Sequence, residues 1–250
     1  MKKIMALFAL SLMTAAFASA IQITPIDATL KAVDATGNST FGTGTVTIQG
    51  VVVCPNLHAT NLSTYIVDTA TGMGINIYKS GGVATNPTYT YGDMMQVTGT
   101  TGQFYGLIEF CPIDTTLKIG SGYSYPTTVI PSLAVATSFD QTLASGGEFY
   151  ESRLVRFSNL TIVGGTWPAA GSFSTMTVSD ASGATMMMFI DNDTNVDDTV
   201  TSAPTGYFDL VCVFNQYDKS TPRTSDYQLI PTQGTDIIQT PVTDWSLMAK

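Results

Sequence analysis

The chain has 250 residues, with 10 Lys and Arg against 19 Asp and Glu, a formal charge of −9, and only 12% of its residues are charged. Its basic residues are scattered: Lys79, Lys118, Arg153, Arg156, Lys219 and Arg223 form no patch that would neutralise a phosphate backbone, so nucleic acid is disfavoured as a partner. Abundant Thr, Ser, Gly and β-branched residues are the composition of an all-β protein.

The first twenty residues, "MKKIMALFALSLMTAAFASA", join a basic start at Lys2 and Lys3 to an apolar run and end on Ala18, Ser19 and Ala20. That is the pattern of a secretory signal peptide cleaved near Ala20. It places the mature chain outside the cytoplasm, secreted, periplasmic or at the cell surface. Without Lys2 and Lys3 the formal charge becomes about −11. No later stretch approaches the ~20 apolar residues of a membrane span.

In chain order, "TVTIQGVVVC" (45–54) alternates Val46, Ile48 and Gly50 with polar neighbours and then turns continuously apolar, as a strand entering a core does. "STYIVDTATGMGINIY" (63–78) is two strand-like runs around Asp68, Thr71 and Gly72. "YGDMMQVTGTTGQFYGLIEFC" (91–111) reads as a further hairpin with its turn at Gly99 to Gly102. The pattern recurs at an offset of roughly 110 residues. "SRLVRFSNLTIVGG" repeats the first strand, and "STMTVSDASGATMMMFID" repeats the hairpin with Asp180 in the place of Asp68. "GYFDLVCVFNQYD" and "DYQLIP" repeat the last two strands. The expected fold is all-β: five strands twice, with turns between, favour two small barrels over one sandwich. The first spans 21–130 and the second 148–238, with a linker at 131–147 and a tail at 239–250 that carries Trp245, Leu247, Met248 and Lys250.

The order "VTIQGVVV … YIVDTATGMGINIY … YGDMMQVTGTTGQFYGLIEF" resembles the OB-fold domain of bacterial secreted proteins, in which a strand-glycine-strand opening precedes "YIQD-x-TGG-I-x-VY" and "GD-x-V-x-VTG". The second half, from "FYESRLVRFSNLTI" to "YQLIPTQGTDI", is similar to a companion repeat in the same proteins. The resemblance implies two tandem five-stranded OB-like Greek-key barrels, modules that accompany an extracellular nuclease, phosphatase or lamin-tail-like domain, none of which is visible in this sequence.

OB barrels bind on the face of strands two and three and through flanking loops. For this chain that face would carry Tyr65, Ile77, Tyr78 and Tyr105, with His58 in the loop "CPNLHATN". Such aromatic rings either stack on bases or sugars or fill the barrel, and alternation alone does not decide whether Tyr65 or Tyr78 points outward. Asp68 and Asp180 have the sequence context of turn aspartates. Cys54 and Cys111 each end a strand and precede proline, which puts both at one end of the first barrel; in an exported protein this predicts a disulfide, with Cys212 a buried thiol. Glu151 with Arg153 reads as a structural pair. Catalysis is poorly supplied: His58 is the sole histidine and no Gly-x-Ser-x-Gly elbow accompanies it.

"FIDNDTNVDD" (189–198) places Asp191, Asp193 and Asn195 at the first, third and fifth positions of an EF-hand-like loop, but Val196 replaces its glycine and Ser202 its last glutamate. A looser calcium site would use Asp191, Asp193, Asn195 and Asp197, and calcium is the one cofactor the sequence suggests. The functional expectation is a non-catalytic binding or interaction module for an extracellular ligand or protein. The alternatives are a self-assembling surface or filament subunit, or a binder of single-stranded nucleic acid or oligosaccharide.

Overall fold

The strand signals fold into two closed five-stranded barrels in a computed structural model that describes residues 21–81 and 88–239. The expected signal peptide and Trp245, Leu247, Met248 and Lys250 of the expected tail lie outside the described residues. Among the described residues no helix is long and apolar enough to cross a membrane.

The first barrel contains β1 (Val46–Val52), β2 (Leu62–Val67), β3 (Gly74–Lys79), β4 (Met94–Phe104) and β5 (Leu107–Gly120). Its strand order is β1-β2-β3-β5-β4 and back to β1, with β3 and β5 parallel and the other pairs antiparallel. After β6 (Thr128–Val129), α1 (Leu133–Ala136) and α2 (Gly146–Tyr150), the second barrel repeats that order. It contains β7 (Leu154–Gly164), β8 (Ser174–Ser179), β9 (Thr185–Ile190), then α3 (Val196–Thr199), β10 (Phe208–Gln216) and β11 (Tyr227–Ile230). β10 pairs with β7 to close it, β9 and β11 are parallel, and β12 (Ile237–Gln239) extends β10. This is OB topology twice over.

Period-two alternation sorts the side chains. In the first barrel Ile48, Leu62, Ile66, Ile75, Ile77, Ile108 and Phe110 fill the interior. In the second, Val155, Phe157, Met176, Val178, Met188, Leu210, Cys212 and Phe214 do the same.

The expected linker packs on both barrels, with Leu143 and Phe139 against the first core and α1 against the second. Ile26 and Leu30, ahead of β1, are fully buried in the first core, and Leu133 and Ala136 of α1 are fully buried in the second. The tip aspartates clip these straps down: Asp68 Oδ2 accepts from the Ile26 N–H at 3.2 Å, and Asp180 Oδ2 from the Leu133 N–H at 2.6 Å. Ile23 bridges parallel to Thr47, as β6 runs parallel to β7. Each aspartate also accepts from the N–H two residues on, Ala70 or Ser182, so the expected turn chemistry is present as well.

The Cys54–Cys111 disulfide is not formed, and all three cysteines are free. The reason is the hairpin. Its turn lies at Tyr105 and Gly106, with φ of 49° and 96°, rather than at Gly99 to Gly102. Gly99 and Gly102 instead let β5 approach closely, since a side-chain carbon there would meet Pro112 O at 2.4 Å and Cys111 O at 2.8 Å. Cys111 therefore sits within the long β5, opposite the Gly99 to Thr101 stretch of β4. Cys54 lies at the other end of that strand, where the Val52 N–H donates to Asp93 O at 2.9 Å. Burial pushes the Cys54 and Cys212 thiols well up, and neither should react as a thiolate. A thiol titration should find three groups after unfolding, with Cys54 and Cys212 silent beforehand, and reductant should leave the melting temperature unchanged. Recovery of a single thiol would reinstate the bridge.

The barrels are joined by buried polar contacts as well as apolar ones. Lys31 Nζ, from the first strap, donates to Glu151 O at 2.6 Å and lies 3.4 Å from Glu151 Oε1. The Ile108 N–H of β5 donates to the same Oε1 at 3.2 Å. Glu151 thus pairs with Lys31 rather than Arg153, whose guanidinium lies 3.8 Å from the centre of the Phe149 ring. Tyr91 of the first barrel donates to Thr232 O of the second at 2.9 Å, and within the second Tyr227 donates to Glu148 Oε1 at 2.8 Å.

Candidate functional site

The outward faces of the two barrels meet. From the first come Tyr65 and Val67 of β2 and Leu107 of β5; they pack with Val53, Cys54, Leu154 and Val213 into an interfacial apolar cluster. Beyond that cluster the faces diverge into a cleft of about 610 Å³. Its first wall is made by Ser63 and Tyr65 (β2), Asn76 and Tyr78 (β3), Leu107 and Glu109 (β5), and the loop residues Leu57 and His58. The facing wall is Thr175 (β8), Met187 and Phe189 (β9), Asn215 and Gln216 (β10), Gln228 and Ile230 (β11), with Asp191 following β9. Phe104 and Tyr217 close one rim.

Of the residues singled out in the sequence, Tyr65, Tyr78 and His58 line this cleft and Ile77 does not. Alternation sends Ile77 into the first core, where it is fully buried. Tyr105 sits on the β4–β5 turn, outside the lining but against it. Its ring centre is 4.3 Å from that of Phe104 and 5.2 Å from that of Tyr217. Lys219 Nζ lies over this cluster, 4.9 Å from the Tyr217 centroid and 5.7 Å from that of Tyr105. His58 is exposed; its Nδ1 accepts from the Thr60 and Asn61 N–H groups, each at 3.2 Å. Asn61 in turn donates to the Tyr78 hydroxyl at 3.1 Å, fixing that ring on the wall.

Sequence reasoning missed Asn76 and Glu109. Strand register places Tyr65 beside Asn76 and Asn76 beside Glu109, a row across β2, β3 and β5. The signal was available: each is a polar interruption, at an outward position, of the apolar runs "GINIY" and "LIEF". Asn76 Nδ2 donates to Thr64 O at 3.3 Å, while its Oδ1 is buried without a hydrogen-bond partner. Burial, then the charge of Glu151, pushes the Glu109 carboxyl up to about 7. Burial also raises Asp191, against the stabilising N–H of Asp193. Both carboxyls are harder to ionise than in water because the walls replace solvent.

The acidic loop does not gather its oxygens at one point. Asp191 faces the cleft and accepts from the Asp193 N–H at 2.9 Å, whereas Asp193 is exposed. Asn195 Oδ1 accepts from the Gly234 N–H at 2.8 Å. Asp197, 2% exposed, turns to the β7–β8 connection and accepts from the Gly171 and Ser172 N–H groups at 2.6 and 3.2 Å. Among the described residues no group of three or more His, Cys, Asp or Glu is placed to hold a metal ion. Calcium at millimolar concentration should therefore leave the melting temperature unchanged. Asp197→Ala should cost about 1–3 kcal/mol in denaturant unfolding by leaving the Gly171 N–H unpaired, the Ser172 N–H keeping Ala169 O at 3.0 Å. A calcium-dependent rise in melting temperature, abolished by Asp191→Asn, would contradict both the geometry and this role.

No family model matches the chain, and no curated protein matches it. Similar solved structures include the tetrameric p202 HIN2, at 11% identity over 78% of this chain and 93% of that chain with a TM-score of 0.34. Another is a murine DNA binding protein bound with double-stranded DNA, at 11% identity over 79% of this chain and 99% of that one, with a TM-score of 0.31. The p204 HINb domain is similar at 11% identity, 76% and 92% coverage and a TM-score of 0.26. At these scores the likeness has no bearing on what the cleft holds.

Proposed function

We propose that the chain is an exported, non-catalytic binding module whose ligand is a small organic molecule, or the end of a larger one, seated between the two barrels. The observation that carries this reading is the cleft itself. About 610 Å³, walled by aromatic rings and Met187 with a few amides and carboxyls placed among them, is the size and chemistry of a small-molecule site. Export is supported by the basic, apolar and small-residue pattern of residues 1–20.

The alternative that the fold invites, a single strand of nucleic acid, is weakened twice. The strand-two and strand-three faces that OB barrels offer to oligomers are turned toward each other in this chain, β2 and β3 against β8 and β9. No lysine or arginine is among the described residues lining the gap, so nothing would neutralise phosphates there.

The test is a thermal-shift and NMR screen of a fragment library and of single-stranded oligonucleotides, repeated on Ser63→Trp. Ser63 is a half-buried wall residue, and an indole at its position would fill part of the cleft. Fragments that bind the parent and not the variant support the reading. Fragment binding indifferent to the variant, or oligonucleotide binding with a steep salt dependence, refutes it.

A further inference from the structure

Asn76 Oδ1 is an acceptor on a side chain only 1% exposed, and it has no donor. A buried polar atom left unpaired costs free energy until something supplies the missing partner. Its neighbours on the first wall are Glu109 in register and Tyr65, and across the gap stands Asp191. The charged side chains among the described residues lining the cleft are thus carboxylates, with no lysine or arginine to pair them inside it. The rings of Tyr65, Tyr78, Phe189 and Tyr217 also line the cleft. The adjoining rings already receive an ammonium group, Lys219 Nζ over Tyr217 and Tyr105, at the separations of a cation–π contact.

Resting on the cleft-binding reading above, we infer that the cleft selects an organic cation, a primary or secondary ammonium carried on an apolar or aromatic body. The ammonium donates to Asn76 Oδ1 and to the Glu109 carboxylate, with Asp191 as the opposing charge, and the body lies against the rings and Met187. Such a ligand offers donors where the wall has acceptors, and its charge offsets two carboxylates that burial otherwise penalises. A neutral polyol satisfies the hydrogen bonds but not the charge. A carboxylate or phosphate ligand adds a third negative group to the same space.

The experiment titrates the chain with three matched probes, 2-phenylethylamine, 2-phenylethanol and 3-phenylpropionate, and with cellobiose as a neutral sugar. Binding is read by calorimetry and NMR at pH 8, where Glu109 is ionised. The parent chain, Ser63→Trp and the double variant Glu109→Gln with Asp191→Asn are compared. The amine should bind at least about tenfold more tightly than the alcohol, the scale of one charge-assisted contact, and the propionate should not bind. The double variant should bring the amine-to-alcohol ratio to within about twofold. An equal ratio in the parent, or a preference that survives the double variant, overturns the inference. If the alcohol or cellobiose binds in a manner that Ser63→Trp blocks and the amine has no advantage, the cleft stands and the amine class falls. If no probe responds to Ser63→Trp, both fall.

Discussion

Gly74→Ala is expected to destabilise the protein by about 3 kcal/mol, the upper end of the cost of overpacking, and to loosen one barrel from the other. A side-chain carbon at position 74 would lie 1.7 Å from Ser152 O and 2.5 Å from its carbonyl carbon. The obstacle is backbone, and backbone with no freedom to retreat. Ser152 holds a left-handed φ of 63°, its N–H donates to Phe214 O at 2.7 Å, and the preceding Glu151 is tied to Lys31 and Ile108. To admit one methyl group, the start of β3 must separate from the segment that enters β7. Since a domain's whole stability is about 5–15 kcal/mol, the loss is readable as a lower urea midpoint. Gly44→Ala is the control, because nothing lies within 4 Å of a carbon added there. Equal midpoints for the two variants would show that the junction yields freely.

The second large effect is on pH. The melting temperature should rise as pH falls from 8.5 to 6. Glu148, 2% exposed, is pushed up to about 8 by burial and then by the charge of Glu151, against the Tyr227 hydrogen bond and Lys31. Glu109 is pushed up to about 7, and burial raises Glu151 as well despite Lys31. From an ordinary value near 4.5 up to those values, the folded chain keeps protons that the unfolded chain has released. For these carboxyls folding binds protons in this window, so their stability contribution is greatest below the unfolded value and is lost as pH rises through 7 and then 8, with Lys31, lowered by burial, acting in the opposite sense at higher pH. At about 1.4 kcal/mol per pH unit for each group, the change from pH 6 to 8.5 is about 2–4 kcal/mol, or roughly 5–10 °C. Asp93 acts elsewhere: burial would raise it, but Lys118 and the Thr90 and Ser121 hydrogen bonds hold it at about 2, so its contribution is lost only as pH falls through that range. Glu148→Gln still accepts the Tyr227 hydroxyl and carries no charge. It should match the parent at low pH and exceed it at pH 8.5. A melting temperature that is flat or climbs with pH would exclude these assignments.

The barrels were legible in the sequence because period-two alternation and the internal repeat reinforce each other. Val46 and Ile48 have a counterpart in the strand around Val155 and Phe157, as Asp68 has in Asp180. The turn of the first barrel's last hairpin was misplaced because glycine marks two different needs. Gly99 and Gly102 serve close strand approach, while the reversal itself falls on Tyr105, a residue rarely found at positive φ. The disulfide followed from that misplacement. The segment 131–147 reads as a linker because its core residues, Leu133 and Ala136 toward the second barrel and Leu143 toward the first, are too few to give a helical period. Half of the candidate site was legible and half was not, for one reason. Tyr65 and Tyr78 announce themselves as aromatic, but a strand buried on both faces loses its polar side, and the second barrel covers the outward face of the first. Asn76 and Glu109 are what remains of the polar alternation, and their meaning depends on a partner surface supplied by the second barrel.

The two clipped straps define what can be cut out, moved or fused as a piece. Severed at residue 148, the second barrel would lose Leu133 and Ala136 from its core and the Leu133 N–H from Asp180. Begun near residue 126, ahead of β6, it would keep Leu133 and Ala136 but take Leu143 and Phe139 from the first core. The segment between the barrels thus serves both cores at once, and neither cut leaves both barrels whole.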